Sequence, residues 1–449
     1  MKRILIANRG EIAVRIIRTC KDMGFHTIAV FSTSDKDALH VSLADQAICI
    51  GGAKSVSSYL NMDAIISAAI LTKADAIHPG YGFLSENPDF VERCVHHNII
   101  FIGPSAAIMK KLGDKSNTRQ MMKTANVPIV PGSSQAVSLE EAKQTAQEIG
   151  YPILLKAAAG GGGRGIRAVS SESELASAYS QAKLEAKSAF GNSDMYVEKQ
   201  LLQPKHIEVQ IIRDHFGNCM HLGERDCSIQ RRNQKIIEET PAPHLSSSLR
   251  KKILATAVHI ANHIEYENVG TVEFLVEGDQ FYFMEINTRI QVEHPITEMV
   301  TGLDLVREQL IVAQGNPLAF QQKDVTTKGV AIEARITVED PKNDFIPKVG
   351  SIDILHMPGG VGVRIDHALF QGYRIPPFYD SMIAKVIVHA ATRLQAINKM
   401  RRVLSELVIE GVSSNQKMLY MICHNPSFVK GEYHIRFMDQ EAASVLYYR

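Results

Sequence analysis

Apolar positions follow two rhythms along this chain, and the architecture changes where the rhythm does. Near the N-terminus, RILIA (3–7) carries an unbroken apolar run, which predicts a buried strand. Residues 11–24 predict a helix with Ile12, Ile16 and Ile17 among its inward positions, and HTIAVF predicts a second strand. Two more such units follow, ending in ADAIH and NIIFIG. Alternation of this kind implies a parallel sheet with helices on both faces. Only Gly10 lies in the first strand–helix turn, so this Rossmann-like segment lacks the dinucleotide fingerprint G-x-G-x-x-G.

From about residue 113 the texture differs. GDKSNTRQMMKTANVP is helical, VPIVPG breaks it with two prolines, and a helix at 138–149 leads into YPILLKAAAGGGGRGIRAVS. Strand-like runs flank those glycines, which predicts a hairpin loop and not a strand-to-helix turn. Residues 172–190 read as a helix and MYVEKQL as a strand. HIEVQIIRD, CMHLGERDCS, a helix near 248–265 and the hairpin TVEFLVEGDQFYFMEIN follow. A third segment from about 328 holds VAIEARITVED, several short strands and a helix at 392–408.

Length and composition narrow the class. At 449 residues two or three domains are expected. With 45% hydrophobic and 22% charged residues and a net charge of +1, neither nucleic acid nor an acidic membrane is expected as main partner. The six cysteines are scattered without a C-x-x-C pair, which argues against a zinc site or disulfide framework and for a reducing compartment. The apolar run after MKR is too short for a signal peptide, and no stretch reaches membrane-spanning length. A soluble, cytoplasmic protein is expected.

The candidate chemistry concentrates in FMEINTRIQVEHPITE (283–298). From Glu285 to Glu293 the odd positions read Glu, Asn, Arg, Gln, Glu, so an extended chain places five polar groups on one face. A hairpin loop at Gly278-Asp279-Gln280 sets Glu273 opposite Glu285. Two carboxylates about 5 Å apart repel by roughly 3 kcal/mol at an effective dielectric of ~20; an exposed pair with lysines at its rim would relieve this, but the apolar flanks favour a bound cation. With Asn287 they form an all-oxygen set suited to Mg²⁺ that also holds phosphates. Arg289 has the geometry to clamp a small oxyanion, and Glu293 to act as a base. The run Gly160–Gly163, followed by Arg164-Gly165, can wrap an anion, with Lys156 four residues ahead. Arg231, Arg232 and Lys235 form a basic cluster that Glu224, Glu238 and Glu239 offset. HPGYGFLSEN (78–87), by itself, reads as a Gly/Pro turn.

Taken in order, IANRGEIA, IHPGYGFLSEN, GDK, GGGGRG, ERDCSIQRR, MEINTRIQVEHPITE and PPFYDSM resemble the biotin carboxylase subunits of multi-subunit acetyl-CoA carboxylases, within the ATP-grasp superfamily. The likeness covers essentially the whole chain. It implies an α/β and α+β fold: a Rossmann-like N-terminal domain (1–112), an ATP-grasp central domain (113–315) with a mobile lid at about 128–202, and a C-terminal mixed α/β domain (328–449). The resemblance implies that Lys115, Lys156 and His206 contact ATP phosphates, with Gly162 and Gly163 in the flap. Glu198, Lys199, Gln200 and Leu201 match the segment that reads adenine, and Gln230 and Asn233 match further nucleotide contacts. Glu273, Glu285 and Asn287 match the ligands of Mg²⁺ or Mn²⁺, two ions in all. Lys235, Arg289, Gln291 and Val292 match the bicarbonate pocket, Glu293 its base, and Arg335 the arginine that steadies the biotin anion. Asn233 stands where the family usually has His, which predicts altered nucleotide affinity, and Ala159 where a fifth glycine is common. No biotin-acceptor Met-Lys-Met is found, so biotin is expected on a separate carrier protein, with separate carboxyltransferase subunits and a homodimeric enzyme. A subunit of another acyl-CoA or pyruvate carboxylase, or an ATP-grasp ligase acting on a different carboxylate, is the alternative.

Overall fold

In the computed structural model, which describes residues 1–113, 115–133, 135–157, 166–190 and 193–446, the N-terminal rhythm produces a five-stranded parallel sheet. Its strands are β1 (Arg3–Ile6), β2 (His26–Ser32), β3 (Gln46–Gly51), β4 (Ala76–His78) and β5 (Ile100–Phe101), in the order β3-β2-β1-β4-β5. Ile4, Leu5 and Ile6 are fully buried, as a strand covered on both faces requires. Strand β3 is the one that apolar rhythm did not single out. It lies at the sheet edge with Gln46, Ala47 and Cys49 exposed, so it needs no continuous apolar run. Helix α1 (Gly10–Asp22) buries Ile12, Ile16 and Ile17 as expected, but also Glu11 and Arg15.

The sheet order reverses between β1 and β4, so the loops after these two strands border one crevice, where open α/β sheets bind ligands. Asn8, after β1, donates from Nδ2 to the carbonyls of Pro79 (2.7 Å) and Tyr81 (2.8 Å), after β4. The 78–87 segment is therefore a braced loop facing the rest of the molecule.

A three-stranded antiparallel sheet follows: β6 (Ile153–Ala157) between β7 (Ile166–Val169) and β8 (Met195–Lys199). The hairpin arms agree with the sequence; the glycine run between them lies outside the described residues, as do Ala159, Gly162 and Gly163. Helices 139–149 and 172–190 pack on it around Ala142, Leu175, Ala182 and Val197.

The largest sheet has eight strands, all neighbours antiparallel: β9 (Lys205–Arg213), β10 (Cys219–Arg231), β11 (Gln234–Thr240), β12 (Asn268–Glu277), β13 (Gln280–Asn287), β14 (Val330–Thr337), β15 (Val363–His367) and β16 (Met382–Ala390). The order β13-β12-β9-β10-β11-β14-β16-β15 carries one sheet across residues 315–328 without interruption. Helix α2 (Ser247–His263) buries Leu249, Ile253, Ala257 and Ile260, one stripe at helical spacing, against part of this sheet. Helix α3 (His294–Thr301) follows the candidate motif, and α4 (Arg393–Glu406), capped by Thr392, buries Ala396, Ile397, Met400 and Val403 on the C-terminal side. Among the described residues no helix is long and apolar enough to cross a membrane, and all six cysteines are free thiols.

Candidate active site

The charges of the central sheet lie inside its strands. In HIEVQ on β9, His206, Glu208 and Gln210 alternate with fully buried Ile207 and Val209, yet all three polar residues are buried too. Cross-strand register sets Glu208 beside both Glu273 and Arg225, Glu238 beside Glu333, and Arg335 beside Lys385, which itself pairs with Asp366. These positions share one face by the two-residue period of a strand.

Glu273 does pair with Glu285, but the turn that achieves it differs from expectation. The loop is the two-residue Gly278-Asp279, since Gln280 pairs with Glu277. That shortening alone would slip the register by one and turn every side chain to the other face. An irregularity between Glu273 and Phe274, where Phe274 pairs with Phe283, leaves Met284 as the extra residue and restores the pairing. The polar row is also not one extended strand. Strand β13 stops at Asn287, and Arg289, Gln291 and Glu293 sit on a connection that ends in α3. Four of the five nevertheless join one network: Asn287 and Gln291 donate to Glu273, Arg289 donates to Asn287, and Gln291 and Glu293 accept from Lys235.

At the centre is Lys235. Its Nζ lies 2.5 Å from Glu208 Oε2, 2.7 Å from Glu293 Oε1, 3.0 Å from Glu273 Oε1 and 3.1 Å from Gln291 Oε1. An ammonium has three hydrogens, so four acceptors compete for them. Burial would lower the Lys235 pKa, but the three carboxylates hold it well above its usual value. Burial likewise opposes ionisation of Glu293 and Glu273, yet Lys235 holds both well below the carboxylate range, helped by Arg335 at Glu293 and by His206 at Glu273. Glu208 is left with a raised pKa, its burial outweighing Lys235. Arg335 donates from Nη2 to Glu293 Oε2 (2.9 Å) and from Nε to Glu238 Oε1 (2.6 Å). A cleft beside it is lined by Lys235, Arg335, Thr337, Ser381 and Met382.

Arg289 is held from the N-terminal sheet. Glu86, in the 78–87 loop, accepts from Arg289 Nε (2.9 Å) and from the Thr288 amide (3.1 Å). Arg289 Nη2 reaches Asn287 Oδ1 at 3.2 Å. Glu273 Oε1 receives three donors: Asn287 Nδ2 (2.8 Å), Gln291 Nε2 (2.9 Å) and Lys235, while His206 Nε2 is 3.0 Å from Oε2. Two carboxylates in register, one ionised and buried and the other exposed, with an adjacent amide oxygen, fit the hard-oxygen demand of Mg²⁺ or Mn²⁺.

The remaining sequence candidates are distributed more widely. Lys156 and Arg119 both ion-pair with Glu198 on β8, and Lys199 donates to the carbonyls of Gly150 and Tyr151, each at 3.0 Å. Gln200 and Leu201 follow the strand end, and Gln230 pairs with Lys235. The Lys115 side chain lies outside the described residues. Asn233 stands at the exposed β10–β11 turn, where Arg232 (φ 48°) and Asn233 (φ 64°) are both left-handed. A two-residue hairpin of this kind favours Asn for backbone reasons alone. Glu224, Glu238 and Glu239 do not offset a surface patch: all three are buried, and serve Arg250, Arg335 and Arg393. Glu86, Glu208 and Arg225 were missed. Glu86 lies within a loop read as a turn, and Glu208 had one available signal, a carboxylate between the apolar Ile207 and Val209 on the same alternating face as His206 and Gln210.

Comparison with known proteins identifies the family. Residues 1–109 match the model of the biotin carboxylase N-terminal domain, 114–321 that of the carbamoyl-phosphate synthase L chain ATP-binding domain, and 333–440 that of the biotin carboxylase C-terminal domain. Biotin carboxylase 1 of Bacillus subtilis is 52% identical over 442 residues, 98% of both chains. The chain belongs to the biotin carboxylase family. The biotin carboxylase–β,γ-ATP complex of Campylobacter jejuni superposes with a TM-score of 0.91 at 50% identity over 98% of each chain. The biotin carboxylase domain of the Hydrogenobacter thermophilus 2-oxoglutarate carboxylase, a dimer complexed with MgADP, ADP and bicarbonate, gives 0.91 at 45% identity over 100% of this chain and 99% of that one. As a biotin carboxylase, the chain is an ATP-dependent ligase with an ATP-grasp core. The charged face runs from that core, where it carries Glu208, Lys235 and Glu273, onto the C-terminal strands that carry Arg335 and Lys385.

Proposed function

We propose that the enzyme carboxylates biotin on a separate biotin carboxyl carrier protein, as the first half-reaction of an acetyl-CoA carboxylase in malonyl-CoA and fatty acid synthesis. The observation that carries the site assignment is the convergence of Lys235, Gln291 and Glu293 beside Glu273, with Arg289 braced by Glu86. In this reading Lys235, Arg289, Gln291 and Val292 hold bicarbonate, and Glu293, ionised at neutral pH, takes its proton. Lys235 spread over four acceptors makes Glu293 a weak base at rest. Turning that ammonium toward the anion returns basicity to Glu293 as substrate binds. Bicarbonate oxygen attacks the γ-phosphoryl group of ATP, giving carboxyphosphate and ADP. Carboxyphosphate breaks down to CO₂ and phosphate, the phosphate takes the ureido N–H proton of biotin, and Arg335, in reach of the cleft, steadies the resulting anion that captures CO₂.

Glu273, Glu285 and Asn287 would hold Mg²⁺ or Mn²⁺, whose positive charge serves the transferred phosphoryl group. Lys115, Lys156 and His206 with Gly162 and Gly163 would face the phosphates, Glu198–Leu201 the adenine, and Gln230 and Asn233 further nucleotide atoms. Lys156 must exchange Glu198 for phosphate, a motion suited to a lid over 128–202. A homodimer, carboxyltransferase subunits and a cytoplasmic setting belong to the same reading; the dimeric Hydrogenobacter thermophilus domain and the unpaired thiols support the first and last. That relative also favours a second reading, in which the final acceptor is a 2-oxo acid.

ADP release measured with ATP, bicarbonate and biotin, each omitted in turn, tests the reaction. Release that ignores bicarbonate and biotin would point to a different carboxylate. Arg335→Ser is expected to nearly abolish biotin carboxylation with ATP affinity largely intact; equal loss of both would remove its assigned role.

A further inference from the structure

One member of the charged face has no part in the chemistry above. Lys385, on β16, is fully buried, a rare position for an ammonium. Its Nζ donates 2.9 Å to the carbonyl oxygen of Val292 and lies 3.2 Å from Glu11 Oε2 and 3.9 Å from Asp366 Oδ2. Register sets it directly beside Arg335, and like charges facing across a strand pair repel. Asp366 already has Arg364 as a partner at 2.7 Å. A buried ion pair of this kind is commonly no more stabilising than two well-packed apolar side chains. Stability alone therefore gives little reason for Lys385. Its distinctive contact is with main chain, one residue before Glu293. Glu293 is the residue before α3, in a turn closed by the His294 amide donating to the Gln291 carbonyl at 3.3 Å. Lys235 and Arg335 fix the Glu293 carboxylate; Lys385 grips the peptide behind it. The counter-charge comes from Glu11 on α1, which also accepts a hydrogen bond from the Tyr81 hydroxyl after β4.

We propose that Lys385 is a positioning residue for the anion pocket, fixing the Val292 peptide and through it Glu293, with Glu11 of the N-terminal sheet balancing its charge. The inference rests on the reading of Gln291–Glu293 as the bicarbonate pocket.

The test is the double variant Glu11→Gln/Lys385→Met, which removes the buried charges together but still leaves Val292 without its donor. Steady-state ADP release in the presence of biotin is measured against bicarbonate and, separately, against ATP. The expected result is a bicarbonate KM raised roughly tenfold or more, the loss of one charge-assisted hydrogen bond, with the ATP KM within about twofold of the parent. A parental bicarbonate KM would show that Lys385 only neutralises Glu11 and would overturn the proposal, as would equal increases in both constants. If the parent itself shows no dependence on bicarbonate, the pocket reading fails and not the positioning step.

Discussion

The N-terminal parallel sheet and the central antiparallel sheet are both covered on two faces, yet they treat charge in opposite ways. In the first, Ile4, Leu5 and Ile6 run without a polar interruption, the polar residues buried in neighbouring strands (Thr27, Ser32 and His78) are uncharged, and Asn8, Arg9 and the 78–87 loop come after the strand ends. In the second, Glu208, Arg225, Glu238 and Lys385 are fully buried within the strands themselves. Buried charge persists only when paired, and leaving one partner alone costs several kcal/mol. The central face is therefore an electrostatic surface fixed in advance of any substrate, whereas the parallel sheet is a scaffold that presents loops to it. Catalysis of phosphoryl and carboxyl transfer needs the first kind of surface, because preoriented charge does not have to reorganise in the transition state.

The contrast can be broken by experiment. Glu293→Gln keeps the size of the side chain and removes its charge. It is expected to lower bicarbonate-dependent ADP release at least ~100-fold while nucleotide affinity, read by calorimetry, changes little. A loss under tenfold would deny the central face its special status. Ile6→Ala, on the scaffold side, is expected to cost about 2–5 kcal/mol in urea unfolding and to leave kcat and both KM values unchanged where the protein is folded. A raised bicarbonate KM in that variant would erase the distinction between the sheets.

Glu86 sharpens the comparison because it crosses between the two. Glu86→Gln removes the charge that orients Arg289 and is expected to raise the bicarbonate KM roughly three- to tenfold, with the ATP KM unaltered. The smallest effect concerns pH. Burial raises Glu238 to about 7 despite Arg335, so folding takes up a proton between the ordinary carboxylate value and that pH. Its contribution to stability is present below the unfolded pKa and lost as pH rises through about 7. Glu238→Gln should flatten the fall in thermal stability between about pH 5 and 8 by on the order of 1 kcal/mol per pH unit. Glu273 and Glu293 act in the opposite sense, losing their stabilisation only as pH falls below the usual carboxylate range, so they do not confuse that window. An unchanged slope would mean Glu238 is ionised throughout.

Much was legible without coordinates, and for a consistent reason. Strands such as RILI and helices such as Glu172–Phe190 follow from local periodicity, which depends on neighbours a few residues apart. The pairing of Glu273 with Glu285 was legible too, although through a turn one residue too long whose error Met284 cancels. Asn233 shows the limit of reading a departure as functional, since a left-handed turn explains Asn there.

The sequence by itself determined the order of strands and helices, the family, and the acidic and basic residues available to the site, because periodicity and motif spacing are properties of the chain. Only the tertiary structure decided which of those charges meet. Lys235 gathers Glu208, Glu273, Gln291 and Glu293 across separations of 27, 38, 56 and 58 residues, and Glu86 reaches Arg289 across 203. Distances of that length are set by sheet order and register, where a shift of a single residue exchanges the buried face for the exposed one.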